Sequence, residues 1–203
     1  DSALLSIIGF PAFAIEDHSL VERTQQEIIN KLQGRYGCKR FLLDGHQTVH
    51  EDPSRLHYEP EELKQFEHIE CEWPLFFTYL QINANFQNDE TRRKTYNDAL
   101  KPLLVERNAQ SLLPELYFVA EQNIEQEKSA PHSQPRLPNE NIPLVWAQSL
   151  YQLAGLLQDG LLHVYEIDPL RREALRKLTR RHDRRGAHVD HQRAGRQTLS
   201  ETV

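Results

Sequence analysis

A chain of 203 residues with a net charge of −6 and a pI near 5.9 has room for one ordinary domain, and its acidity argues against nucleic acid as the main partner. The average hides a split: from Arg171 onward ten Lys or Arg face four Asp or Glu, giving a tail of +6 behind a body of −12. Two cysteines, Cys38 and Cys71, with no C-x-x-C spacing, exclude a disulfide framework and point to a reducing, cytoplasmic setting, and the absence of methionine makes Asp1 the start of a piece or a processed product.

The apolar stretch Leu4 to Ile15 is broken by Gly9 and Pro11, is short for a membrane span and lacks the basic flank of a signal peptide, so it reads as buried core. In DHSLVERTQQEIINKLQ, Leu20, Thr24, Ile28 and Leu32 recur every fourth residue and predict one face of an amphipathic helix, stopped by Gly34. A long connection follows to Glu72. It carries an aromatic and basic patch (Arg35, Tyr36, Lys39, Arg40, Phe41), then Asp44-Gly45 and a stretch with two prolines.

Phe66 to Leu80, FEHIECEWPLFFTYL, is the centre of the reading, because a carboxylate-rich loop (Glu67, Glu70, Glu72) meets a Trp-Pro step and an apolar run. Trp73 to Phe86 is apolar nearly all round and predicts a buried helix, with Pro74 suited to its first turn. Asp89 caps a further helix, Glu90 to Val105, bent near Pro102. A second long connection, about 106 to 141, carries LLPELY and PHSQPRLPNEN, and Pro143 opens a last helix to Leu157. The tight turn at Gln87 to Asp89 makes its two helices antiparallel neighbours, and if the flanking helices also alternate in direction both long connections emerge at the opposite end, where Glu70, Glu72 and Glu115 could share a pocket.

Beyond Asp168-Pro169 large apolar residues are few, predicting a short helix at most and then disorder. His182, His188 and His191 read as exposed histidines of a basic tail rather than metal ligands, and no cofactor is implied.

Several stretches resemble a known family: GRYGCKRFLLDG (34–45), EDPSRLHYEPEELKQFEHIECEWPLFFTYL (51–80), LLPELY (112–117), WAQSLY (146–151) and EIDP (166–169). They are similar to the glycoside hydrolase family 15-like domain of phosphorylase b kinase regulatory subunits, α and β, and of close bacterial relatives. The resemblance spans roughly residues 1–172. It implies an all-α fold: residues 1–170 as the C-terminal part of an (α/α)6 toroid of helical hairpins, with 171–203 a basic, disordered tail.

The same resemblance implies the site. In starch-degrading members, which are inverting exo-α-glucosidases, an Arg-aromatic-x-x-Asp stretch binds sugar hydroxyls, and Arg40 to Asp44 is similar. Glu115 matches the general base by position, with Trp73 and Tyr117 as aromatic walls and Glu72 among the substrate-binding residues. Inversion needs a protonated carboxyl and a carboxylate roughly 6.5 to 9.5 Å apart. The family's acid lies on a helix upstream of Asp1, so the 203 residues alone are expected to be inactive. Without the resemblance, Arg40 with Asp44 reads equally as a loop salt bridge and Glu115 as a surface acid. Two functions follow: a regulatory module of glycogen metabolism that binds α-glucan or maltooligosaccharide and holds a kinase catalytic subunit and calmodulin, or part of an active glucoamylase-like enzyme acting on glucan ends.

Overall fold

Pro74–Gln87 forms the central helix, α3 of the computed structural model, which describes residues 1–168 and 170–172. Twelve of its fourteen residues are buried, so it is surrounded rather than laid on a surface. Trp73 is its N-cap in extended conformation and Pro74 fills the first turn, where a missing N–H costs nothing. Burying such a helix requires its polar side chains to be satisfied. Thr78 donates to its own turn at Leu75, and Asn83 exchanges hydrogen bonds with the Leu5 carbonyl and the Phe10 amide.

The chain enters through a short 3₁₀ turn, Ser2–Leu4, and helix α1, Leu5–Ile8. Helix α2, His18–Leu32, starts on Asp17, whose carboxylate accepts from the Ser19 and Leu20 amides. Its buried stripe is Val21, Gln25, Ile28 and Leu32, one residue off the expected line at its first two positions, because Leu20 stays 42% exposed. Gly34 is not its cap: the C-cap is Gln33, in extended conformation.

Asn88, in the left-handed region, and the N-cap Asp89 turn the chain back into α4, Glu90–Leu100, which packs Tyr96 against Phe77 of α3. The expected continuation to Val105 is cut short by a 3₁₀ turn, Lys101–Leu103, containing Pro102. Two antiparallel ribbons follow, which the helix-only reading does not contain: β1 (Val105–Arg107) with β2 (Gln110–Leu112), and β3 (Tyr117–Val119) with β4 (Arg136–Pro138). Between β3 and β4 lies α5, Ile124–Ser129. Helix α6, Val145–Gln158, packs on α3 through Ala147, Leu150, Ala154 and Leu157, and Trp146 Nε1 donates to the Tyr79 hydroxyl at 3.1 Å. The architecture is helix-dominated, as expected for the all-α class.

The described residues divide between two units, the first Asp1–Val164 and the second beginning at Tyr165. A helical turn, Val164–Ile167, leads into the second, in which Arg172 pairs with Asp168 at 3.1 Å. The expected tail disorder and the three tail histidines lie outside the described residues. No described helix is long and apolar enough to cross a membrane.

Candidate functional site

The two long connections are laced into one layer by single bridges between extended residues. Gln33 pairs with Cys38, Cys38 with Trp73, and Glu72 with Tyr117, which continues into the β3–β4 ribbon. The backbone bonds Trp73 N–H to Cys38 O and Tyr117 N–H to Glu72 O measure 2.9 and 2.8 Å. Gly37 is required here twice over. Its φ is +144°, and a Cβ would lie 2.2 Å from the Trp73 carbonyl carbon.

Beneath this layer the buried charges are committed to one another. Glu72 and Arg136 are each 1% exposed at the side chain, with Glu72 Oε1 3.2 Å from Arg136 Nε and 3.7 Å from His132 Nδ1. Glu72 Oε2 accepts the Tyr36 amide at 2.7 Å. Burial pushes this carboxyl up, but the His132 ring, the Arg136 guanidinium and the Tyr36 amide together hold it below its ordinary range. Arg136 also reaches Glu127 at 3.3 Å and donates to the carbonyls of Glu70 and His68. Glu127 in turn accepts the His132 and Gln134 amides, while Glu70 takes Lys39 at 2.7 Å and the Leu43 amide at 2.9 Å. Gly34 lies against this cluster, since a Cβ there would sit 2.0 Å from Glu72 Oε1.

A second group of charges lies nearer the surface, although its Asp44 is itself buried. Arg40 grips Asp44 with two hydrogen bonds of 2.6 and 2.7 Å, and its guanidinium lies over both the Trp73 and Phe41 rings. The hydrogen bond to Asp44 raises the Arg40 pKa, keeping it charged, and its side chain is 32% exposed. The ring of His46 stacks on Trp73 at 6.1 Å with a 17° interplanar angle, and the His46 amide donates to Asp44. Trp73 itself is nearly covered, with Nε1 buried and unpartnered among the described residues.

From this patch the chain runs directly to Glu115. Gln47, with φ +56°, donates from Nε2 to Glu115 Oε2 at 3.0 Å, and Asn139 donates from Nδ2 to the same oxygen at 2.7 Å. Glu115 is half-buried and anchored by its amide to the Asn141 carbonyl. The arrangement therefore connects the partly exposed Arg40 and Glu115 through the buried Asp44 and the His46-Gln47 segment, with Trp73 supporting it through His46. Glu72 and Tyr117 stand behind it. The Tyr117 hydroxyl donates to the Leu103 carbonyl at 2.8 Å, and burial pushes that phenol up to about 12. A partly exposed carboxylate, Glu115, joined through the His46-Gln47 segment to a cation and an exposed aromatic ring, Phe41, is suited to polyhydroxylated ligands, and the carboxylate to accepting a hydroxyl or water proton.

Gln47, His46, Asn139 and Arg136 are absent from the expected site residues. Asn139 and Arg136 lie in the Pro-rich PHSQPRLPNEN, where nothing in the composition distinguishes a buried arginine from a solvated one.

Residues 3–196 match the sequence model of glycosyl hydrolases family 15, a stretch that runs into the basic segment. Over 173 residues the chain is 53% identical to phosphorylase b kinase regulatory subunit alpha, skeletal muscle isoform, of Oryctolagus cuniculus, and 51% identical to the liver isoform of the same species. It is 49% identical to a probable phosphorylase b kinase regulatory subunit alpha of Drosophila melanogaster. Each alignment takes in 85% of this chain and 14% of the relative, so the chain spans about a seventh of their length. The chain belongs to glycosyl hydrolase family 15.

Proposed function

We propose that this chain is an α-glucan-binding, family 15-like module of a phosphorylase b kinase regulatory subunit, acting in cytoplasmic glycogen metabolism. The observation that carries the reading is the pair of partly exposed groups, Arg40 and Glu115, set at the junction of the two long connections, with the buried Asp44 fixing Arg40. Arg40 and Asp44 together offer donors and acceptors to vicinal hydroxyls. The exposed face of Phe41 and the partly exposed ring of His46, backed by the covered Trp73, flank them as surface for a pyranose ring. Glu72 and Tyr117 serve this site from behind, by fixing the backbone that carries Trp73 and Glu115. A kinase catalytic subunit is the partner proposed from the names of the regulatory-subunit relatives, and calmodulin a further partner proposed from the family resemblance alone.

The second reading, an inverting exo-α-glucosidase, is kept in view by Glu115, a carboxylate suited to activating water if a second, protonated carboxyl faces it across the sugar. The test is a titration of the full-length protein with maltooligosaccharide that follows binding and glucose release together, for the native protein and for Glu115→Gln. Binding without release in the native protein is the expected result. Release that Glu115→Gln abolishes while binding persists would instead establish the enzyme.

A further inference from the structure

The Glu115 carboxylate is held asymmetrically. Both of its side-chain donors, Gln47 Nε2 at 3.0 Å and Asn139 Nδ2 at 2.7 Å, converge on Oε2, and Oε1 accepts no hydrogen bond from the described residues. The two amides are also locked to each other, because Asn139 Nδ2 donates to Gln47 Oε1 at 2.9 Å. That ring of contacts fixes the orientation of both amide groups: each nitrogen faces an acceptor, and reversing either would set oxygen against oxygen. Gln47 is held in turn at its backbone, where Glu51 accepts its amide at 2.7 Å, and at its side chain, where His46 Nε2 lies 3.3 Å from Nε2. Since the Gln47 nitrogen can only donate, His46 Nε2 is the acceptor there, which leaves His46 Nδ1 carrying its proton toward Glu51 Oε1 at 3.5 Å. The Asn139 Oδ1 atom is buried, with no partner among the described residues.

The geometry points to Gln47 and Asn139 as the positioning residues of Glu115, an amide clamp that fixes the carboxylate through Oε2 and leaves Oε1 to meet a sugar hydroxyl or a water. This rests on the glucan-binding reading of Glu115. It adds to that reading the two residues that determine how the carboxylate is presented, neither of which belongs to the Arg-aromatic-x-x-Asp or LPELY stretches. The left-handed backbone of Gln47 is consistent with such a task, since a non-glycine residue is held there only when its surroundings over-determine it.

The clamp is tested by calorimetric titration of the full-length protein with maltoheptaose for the native protein, Glu115→Gln, Gln47→Leu, Asn139→Leu and Asn139→Asp, with far-UV circular dichroism as the check on folding. Gln47→Leu and Asn139→Leu are each expected to weaken binding about tenfold at every pH, since each removes a hydrogen bond to a charged group. Asn139→Asp sets a second carboxyl against Oε2. Binding by that variant is expected to be weak near neutral pH and to recover as the pH falls and the pair takes up one proton, a pH profile that general loosening of the loop would not give.

If Glu115→Gln weakens binding while both leucine variants bind as the native protein does, or if Asn139→Asp shows no recovery in acid, the clamp is overturned and the glucan reading stands. If the native protein does not bind, or Glu115→Gln changes nothing, the glucan reading itself fails. The clamp is then judged without ligand, by the side-chain amide NMR signals of Gln47 and Asn139. Both are expected to move on Glu115→Leu, and unmoved signals would overturn it.

Discussion

Two groups of charges, drawn from the same two connections and hardly distinguishable in sequence, have opposite fates. Glu72, Arg136 and Glu127 are buried together and turned on one another, whereas Arg40 and Glu115 reach the surface with part of their hydrogen-bonding capacity unused, Arg40 being held there by the buried Asp44. Solvation decides the difference. A carboxylate removed from water must find compensating partners within the protein, which fixes the chain around it. One left half in water can exchange a water for a ligand hydroxyl. The inner group is therefore expected to govern stability and the outer group binding.

The sharpest way to break that comparison is to remove the shared cation. Arg136→Leu leaves Glu72 and Glu127 buried without their guanidinium, and unfolding in urea is expected to show a loss of about 3–5 kcal/mol. A loss below about 1 kcal/mol would place the inner cluster outside the scaffold. Next in size is Gly37→Ala, which strains a backbone at φ +144° and drives a methyl group into the Trp73 carbonyl. At least about 2 kcal/mol should be lost, read from the same denaturation curves.

Acid should dissect the inner group further. The folded pKa of Glu72 lies below its ordinary value, so its contribution to stability is fully present above the unfolded value, about 4.3, and is lost as the pH falls through the folded one. Glu72→Gln is expected to flatten that acid decline in melting temperature between about pH 5 and pH 3. An unchanged slope would assign the decline to other carboxylates. The smallest effect is expected in the outer group: Glu115→Gln keeps an acceptor toward both amides and should stay within about 0.5 kcal/mol of the native stability.

Much of the scaffold is legible from residue pattern alone. The apolar run behind Trp73-Pro74, the Asn88-Asp89 turn and the Asp89 cap are local signals, and the structure places the helices where they indicate. The α2 stripe is misread by one residue because Leu20 and Val21 are equally apolar, and only the partner surface determines which of them turns inward. The ribbons β1–β2 and β3–β4 have three-residue strands, too short for an alternation to register.

The site divides in the same way. Arg40 and Asp44, four residues apart, and Glu115 in its LPELY stretch are local and can be read from the chain, aided by family resemblance. Gln47 and Asn139 meet Glu115 across 68 and 24 residues, and Arg136 meets Glu72 across 64. Such pairings belong to the tertiary fold, and no spacing rule announces them.

The most direct test of the central claim is the shift in melting temperature that maltooligosaccharide produces, compared between the native protein and Glu115→Gln, since a ligand that binds only the folded state raises its stability. The account predicts equal melting temperatures without sugar and a rise with sugar in the native protein that is reduced or lost in Glu115→Gln. Equal rises in both would contradict it, because the outer carboxylate would then take no part in holding the ligand.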